Sequence, residues 1–217
     1  MKKEIKSEYD HEMFEARREL ILAGLYEPLL NELRSHCKDK FVLDVGCGEG
    51  TMLSLVGLGV GFDISKDGVM MASDYVSDGL EFVVADLTNL PFRDNSVDVI
   101  LNIFSPSHYD EFARVLKPGG KLIKVIPNSD YLLELRLALY GEANYSNEDV
   151  KIRLAEKVNI LEEKAVRYVF DLPVALRAKL VKMTPLEWGA DEAAKLKLAG
   201  NPLEKITVDV TMFVCEL

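Results

Sequence analysis

The sequence is short of several residue types, and each shortage excludes a class of protein. Its 217 residues include three cysteines, and no two of them form a C-x-x-C pair, so neither a zinc site nor a disulfide framework is predicted. No apolar run approaches the roughly eighteen residues of a membrane-spanning helix, and none follows the charged residues 1–6. We therefore expect a cytoplasmic protein with reduced thiols, no bound metal and no membrane partner.

Positive charge is also scarce. The chain has 26 Lys and Arg against 36 Asp and Glu, and its net charge of −10 opposes non-specific attraction to nucleic acid. The balance is uneven, because residues 117–182 carry 12 basic and 9 acidic side chains. A polyanion is expected to meet this C-terminal half, although a mixed, solvated surface explains the same composition.

The sequence does contain a glycine turn after a short apolar strand. Residues 41–43 (FVL) predict a buried parallel strand, and residues 44–50 (DVGCGEG) follow it. Glycines at alternate positions turn the backbone sharply and let a small ligand approach it. The spacing is that of neither a phosphate-binding loop nor a dinucleotide site. Asp44 would repel a pyrophosphate but suits a cation, such as the amino group and sulfonium of S-adenosylmethionine.

Acidic residues also follow the next two predicted strands. Residues 59–63 predict a second strand that ends at Asp63, the position that receives a ribose diol in doubly wound sheets. Residues 81–85 predict a third strand, followed by Asp86 and Leu87, which could hold the amine of an adenine and stack on its ring. Asp86 is equally plausible as an ordinary turn residue. For the glycine turn, a loop without a ligand is the less favoured alternative.

The fourth predicted strand, residues 96–104, ends where we expect the acceptor, the second substrate beside the ligand of the glycine turn. It delivers Asn102, Phe104 and Ser105 to the carboxyl edge of the sheet, where ligands of open α/β folds bind. Asn102 offers hydrogen bonds and Phe104 a stacking face. His108 follows, and we interpret it as an exposed residue at a helix start rather than as a base.

The remaining pattern alternates helices and strands. Residues 8–36 predict two helices joined at 24–28, where Tyr26 either touches the ligand or packs at the junction. Further helices are predicted at 51–56, 66–75, 131–140 and 173–183, a Pro-Gly turn at 116–120, and further strands at 121–126, 161–170 and 206–215. The order predicts an α/β fold with a doubly wound, largely parallel sheet.

Five stretches together resemble the class I S-adenosylmethionine-dependent methyltransferases. They are residues 42–50 (VLDVGCGEG), 62–65 (FDIS), 84–86 (VAD), 90–92 (LPF) and 115–120 (VLKPGG). The resemblance covers residues 41 to about 127, and the combined motif set is specific for that superfamily. It implies a Rossmann-like sheet of seven strands with an antiparallel last strand. We expect a helical N-terminal cap at residues 1–38 and a methyltransferase domain at residues 39–217.

Fragments outside that region are similar to the large-subunit (23S) ribosomal RNA guanine-N1-methyltransferases. They are residues 17–18 (RR), 24–29 (GLYEPL), 104–106 (FSP), 132–135 (LLEL) after Pro127, and 183–188 (MTPLEW). The similarity implies shared substrate machinery and ribosomal RNA as a partner. Members of that family usually begin with a cysteine-rich zinc module, which has no counterpart in these residues. Trp188 either stacks on a base or, more commonly for a lone Trp, anchors packing.

The resemblance implies the following site. Cofactor contacts are expected from Tyr26, Asp44, Gly46, Gly48, Glu49, Gly50, Asp63, Ile64, Asp86, Leu87, Asn102, Ile103 and Tyr131, the last standing where a histidine is expected. Asn102, Phe104 and Ser105 are the acceptor-site candidates. The acceptor is a guanine of ribosomal RNA or a small molecule, and a non-catalytic cofactor-binding module is the third hypothesis.

Overall fold

The computed structural model describes residues 10–141 and 145–217, in which seven strands form one sheet. The strands are β1 (Phe41–Val45), β2 (Leu58–Asp63), β3 (Leu80–Val84), β4 (Val97–Ile103), β5 (Leu116–Pro127), β6 (Asn159–Asp171) and β7 (Lys205–Glu216). Their order across the sheet is β3-β2-β1-β4-β5-β7-β6. Neighbours are parallel except that β7 is antiparallel to both β5 and β6. This confirms the predicted largely parallel sheet with an antiparallel last strand.

Helices cover both faces of the sheet. In the described residues they are α1 (His11–Leu22), α2 (Glu27–Cys37), α3 (Thr51–Val56), α4 (Lys66–Ala72), α5 (Tyr109–Val115), α6 (Leu133–Tyr140), α7 (Glu148–Lys157), α8 (Lys179–Lys182) and α9 (Glu192–Gly200). None of these helices is long and apolar enough to cross a membrane.

The two predicted N-terminal helices are present as α1 and α2, while residues 8 and 9 of that prediction lie outside the described residues. Asp10 caps α1 by accepting a hydrogen bond from the Met13 amide at 2.9 Å. Pro28 lies in the first turn of α2, where its missing N–H is not needed. Leu20 and Leu29 are fully buried in the same hydrophobic core as Leu101 of β4. Apolar packing therefore joins these helices to the sheet.

Several predicted elements differ from the structure. The helix predicted at 173–183 is two short pieces, a 3-10 turn (Val174–Leu176) and α8, because Val174 is exposed and the segment lacks a continuous apolar face. The helix at 66–75 ends at Ala72 and continues as a 3-10 turn. Helices α7 and α9 were missed, since each buries a single residue, Leu154 and Leu198 respectively.

The fifth strand is longer than its sequence pattern indicates, and the last strand is buried on both faces. The Pro-Gly turn lies inside β5, where the pairing with β4 shifts register after Leu116. The last strand alternates apolar and polar residues, yet both of its faces are buried. Thr207 is covered by Glu134, whose carboxylate accepts hydrogen bonds from the Thr207 amide at 2.8 Å and hydroxyl at 2.6 Å. Asp209 is covered by Asn128 and Arg167.

Candidate active site

A cavity of about 720 Å³ lies at the carboxyl ends of β1, β2, β4 and β5, within the size range of small-molecule sites. Phe14 and Arg17 of α1 and the segment Met183–Pro185 also line it. The structure brings most of the predicted site residues to its wall: Tyr26, Asp44, Gly46, Glu49, Asp63, Ile64, Asp86, Leu87, Ile103, Phe104, Ser105 and Tyr131. Gly48, Gly50 and Asn102 are not among its lining residues.

The glycine turn follows β1 in a conformation that side chains disfavour. Gly46, Gly48 and Gly50 have φ angles of +70°, +55° and +81°. A Cβ on Gly46 would lie 2.8 Å from the Cβ of Ser105, and one on Gly50 would lie 2.7 Å from the ring of Phe82. The second and third glycines therefore shape the turn, although they do not line the cavity.

Asp63 connects the glycine turn to the end of β2. Its Oδ2 accepts a hydrogen bond from the Gly48 amide at 2.9 Å, and its Oδ1 accepts one from the Ser65 amide at 2.8 Å. Both oxygens keep further acceptor capacity, because a carboxylate offers about four lone-pair sites. Asp63 thus fixes the shape of two loops while its side chain also faces the cavity.

Three carboxylates gather beneath the turn. Asp44 and Glu49 are almost fully buried and face the same cavity as Asp63. Burial, followed by the charges of Glu49 and Asp63, raises the pKa of Asp44 to about 7. Burial also raises the pKa of Glu49, which Arg17 partly opposes. A positive ligand would stabilise the ionised form of such a cluster, so these residues fit the amino group and sulfonium of S-adenosylmethionine.

The far end of the cavity is more exposed. Ile64 is apolar and 74% exposed, and Leu87 also lines the cavity. Asp86 Oδ1 accepts hydrogen bonds from the amide and the hydroxyl of Thr88, both at 2.8 Å, which lower the pKa of its carboxyl group. Asp86 therefore acts as an ordinary turn residue, which is one of the two interpretations of the sequence. It also lines the cavity.

We call the segment Phe104–Ser107, which follows β4, the acceptor turn. Phe104 has a φ of +54°, a strained conformation for a bulky residue of the kind that clusters at functional sites. Its ring is 5.8 Å from that of Tyr26 and 5.2 Å from that of Tyr131. The two tyrosine hydroxyl groups lie 2.5 Å apart. This aromatic group forms the part of the cavity wall at which the sequence predicts the acceptor.

Asn102 supports the acceptor turn from below instead of facing the cavity. It is fully buried, and its amide nitrogen donates hydrogen bonds to Ser105 Oγ at 2.6 Å and to the Pro106 carbonyl at 2.8 Å. His108 caps α5, since its Nδ1 accepts a hydrogen bond from the Glu111 amide at 3.3 Å. This agrees with the interpretation of His108 as a helix-start residue.

Several lining residues were given no role from the sequence, among them Arg17, Thr184 and Lys124. Arg17 Nε and Nη2 donate to the Met183 carbonyl at 3.4 and 3.2 Å, which joins α1 to the segment on which Thr184 lies. Both stretches were noticed as sequence similarities only. Lys124 is a buried lysine in β5, and no local pattern indicates it. Trp188 is 44% exposed and is not among the lining residues.

Comparisons with known proteins agree with this geometry. A family model described as a methyltransferase domain matches residues 43–124. YxjB of Bacillus subtilis (strain 168), provisionally named a 23S rRNA (guanine-N(1)-)-methyltransferase, is 40% identical over 98% of this chain and 82% of its own length. The 23S rRNA (guanine(748)-N(1))-methyltransferase of Streptomyces fradiae is 29% identical over 94% and 79%. A SAM-dependent methyltransferase from Aquifex aeolicus has the same fold, with a TM-score of 0.60 at 17% identity over 96% of this chain and all of that one.

Proposed function

The chain belongs to the family of the 23S rRNA guanine-N1-methyltransferases and is an S-adenosylmethionine-dependent methyltransferase, and from this premise we propose that it methylates N1 of a guanine in large-subunit ribosomal RNA. One observation carries the proposal. The general methyltransferase model accounts for residues 43–124, whereas the similarity to YxjB extends over 98% of the chain. The similarity therefore also covers segments outside that model, including those that carry Tyr26 and Tyr131. The proposed reaction takes place in the cytoplasm.

The cofactor supplies an activated methyl group on a sulfonium, and we assign its binding to the cavity wall. Asp44 and Glu49 would hold the cationic amino acid end, because they are buried carboxylates in the cavity wall whose ionised forms a cation would stabilise. Asp63 would accept hydrogen bonds from the ribose. Ile64 and Leu87 would hold the adenine between apolar surfaces, with Asp86 beside them.

The acceptor base is assigned to the aromatic group. Phe104 is 39% exposed and lines the cavity, so a guanine ring can stack on its face. The hydroxyls of Tyr26 and Tyr131 lie at the same end and can hydrogen-bond to the base. The protein chiefly has to align the acceptor nitrogen with the methyl group and exclude water, since orientation alone lowers a barrier by as much as about 7–11 kcal/mol.

The test is methyl transfer to RNA that lacks the modification. Ribosomal RNA from a strain without the gene is incubated with the protein and tritiated S-adenosylmethionine, beside a low-molecular-weight cell extract. We expect label in the 23S RNA. We also expect a new stop in reverse transcription, because a methyl group on N1 blocks the Watson–Crick edge of guanine. Label only in the extract would overturn the proposed acceptor and favour a small molecule. The control is Asp44→Asn, which is expected to lose most of its activity.

A further inference from the structure

Lys124 lies in the middle of β5, between β4 and β7, and its side chain is 4% exposed. Lysine is rarely buried to this degree. Burial lowers the pKa of Lys124 to about 8, since a dry environment disfavours the ammonium form. A buried ammonium group persists only where hydrogen-bond acceptors surround it.

Those acceptors all belong to one short segment. Lys124 Nζ donates to Asn102 Oδ1 at 2.5 Å, to Ser107 Oγ at 2.8 Å and to the Ser105 carbonyl at 3.4 Å. An ammonium group has three donors and no acceptor, so these contacts use its full capacity. Lys124 thus contacts the acceptor turn and the residue beneath it.

The contact fixes the orientation of Asn102. Its Oδ1 faces the ammonium, while its amide nitrogen faces three oxygens: Ser105 Oγ, the Ser105 carbonyl and the Pro106 carbonyl. The opposite orientation would place the amide donors against the ammonium and the amide oxygen against three other oxygens. Lys124, together with the Ser107 hydroxyl that donates to the same Oδ1 at 2.6 Å, therefore fixes which way Asn102 points, and Asn102 in turn holds the backbone of the acceptor turn.

The same hydrogen bonds continue to the glycine turn. Ser105 Oγ donates to the Val45 carbonyl at 2.7 Å, and Val45 directly precedes Gly46. A one-way relay of donors runs from Lys124 through Asn102 and Ser105 to Val45, across β5, β4 and β1. Hydrogen bonds in such a chain polarise and strengthen one another.

We propose that Lys124 is a positioning residue for methyl transfer, which acts through Asn102 and Ser105 to hold the acceptor turn at a fixed distance from the glycine turn. The inference rests on the proposed function in one respect, the placing of the acceptor at Phe104. The two turns carry the two reactants, and a displacement of about 1 Å between reactants can lower a rate about 100-fold. The strained Phe104 lies between these anchored residues. Its own side chain is apolar, so it cannot anchor the turn by a hydrogen bond.

The test compares Lys124→Met with Lys121→Met. Both replace a lysine of β5 by an apolar chain of similar length, but Lys121 lies at the surface, where it pairs with Glu216. For Lys124→Met we expect kcat for methyl transfer to fall about 100-fold. The KM for RNA and the Kd for S-adenosylhomocysteine should stay within threefold, and Lys121→Met should resemble the wild type in all three. Because the substitution removes a buried charge but also leaves its acceptors without this donor, kcat is compared at a temperature at which both variants are folded.

A second readout does not depend on the acceptor. The Phe104 amide donates to the Val125 carbonyl at 3.3 Å, and its hydrogen exchange reports on the acceptor turn. It should exchange at least tenfold faster in Lys124→Met and be unchanged in Lys121→Met. If Lys124→Met does not fold, Ser105→Ala breaks the relay at its outer end without stranding a buried charge, and it should give the same two effects.

Unchanged exchange and unchanged kcat would overturn the proposal, as would a loss of cofactor affinity equal to the loss in kcat. If the wild type labels no ribosomal RNA, the proposed acceptor is wrong. If the Phe104 amide still exchanges faster in Lys124→Met, the positioning role of Lys124 stands. The kcat comparison would then be made on the acceptor that does take label. The two ideas therefore fail separately.

Discussion

The cavity has two halves that are built in different ways. The half to which we assign the cofactor, the cofactor half, consists of the glycine turn and the acids at the ends of β1 and β2, and its contacts join residues close in sequence, such as Gly48 and Asp63. The half to which we assign the acceptor, the acceptor half, is held by contacts between distant parts of the chain. Tyr26 meets Tyr131, which is 105 positions away, and Arg17 meets Met183, which is 166 positions away. One half is a local motif, and the other is a product of the whole fold.

The largest effect is expected from the electrostatics of the cofactor half. The pKa of Asp44 is about 7 in the folded protein and about 3.8 when unfolded, so the folded state binds this proton more tightly. Its contribution to stability is complete below pH 4 and is lost as the pH rises through 7. The loss is at most about 4 kcal/mol, of which roughly 3 kcal/mol falls between pH 5 and 8.

The measurement is urea unfolding of the cofactor-free protein at pH 5 and pH 8, beside Asp44→Asn. The difference between the two proteins should follow the titration of Asp44, because Asn cannot ionise. Binding of S-adenosylmethionine should strengthen over the same pH range, since the ionised carboxylate attracts its cation. Parallel pH curves for the two proteins would show that Asp44 does not titrate in this range.

The next largest effect is expected at Gly46, where the glycine turn of the cofactor half lies against Ser105 of the acceptor turn. Gly46→Ala places a Cβ against Ser105 and imposes a positive φ on alanine, so we expect S-adenosylhomocysteine to bind about 100-fold more weakly. Gly119→Ala is the matched control, because Gly119 has a φ of +80° but no atom within 4 Å of the added Cβ. Both variants should lose about 1 kcal/mol of stability from the backbone. Equal binding in calorimetry would mean that the turn tolerates the contact.

The contrast between the two halves also explains which parts of the site could be predicted from the sequence. The alternation of strands and helices along the chain, the glycine turn and the acids at or just after the ends of β1, β2 and β3 were predicted because each is a local signal. Asn102 was placed at the ligand for the same reason, as the polar residue near a strand end, but its side chain turns inward to Lys124. That contact crosses between strands, and no spacing in the sequence announces it. Helix α7 was missed because most of its residues are polar and it buries only Leu154.

A smaller effect is expected from the acceptor half alone. Phe104→Ala removes the stacking face, so kcat/KM for RNA should fall about tenfold while the Kd for S-adenosylhomocysteine stays within about threefold. Trp188→Ala serves as the control, because Trp188 is another exposed aromatic residue but does not line the cavity. It should change kcat/KM by less than about twofold. A tenfold loss in Trp188→Ala would instead place a base at that residue.

The smallest effect is expected where the first helix meets α8 at the surface. Lys182 pairs with Glu12, and their side chains are 51% and 70% exposed, so the pair is largely screened by water. Lys182→Met should lower the free energy of unfolding by no more than about 0.5 kcal/mol. Lys164→Met is the matched control, since Lys164 pairs with Glu32 in the same way but is not next to the cavity. Urea unfolding measures both variants.

A loss above 1 kcal/mol in Lys182→Met alone would mean that ion pairs close this side of the cavity. The expected result leaves that role to apolar packing and to the hydrogen bonds from Arg17, which join distant segments as the rest of the acceptor half does.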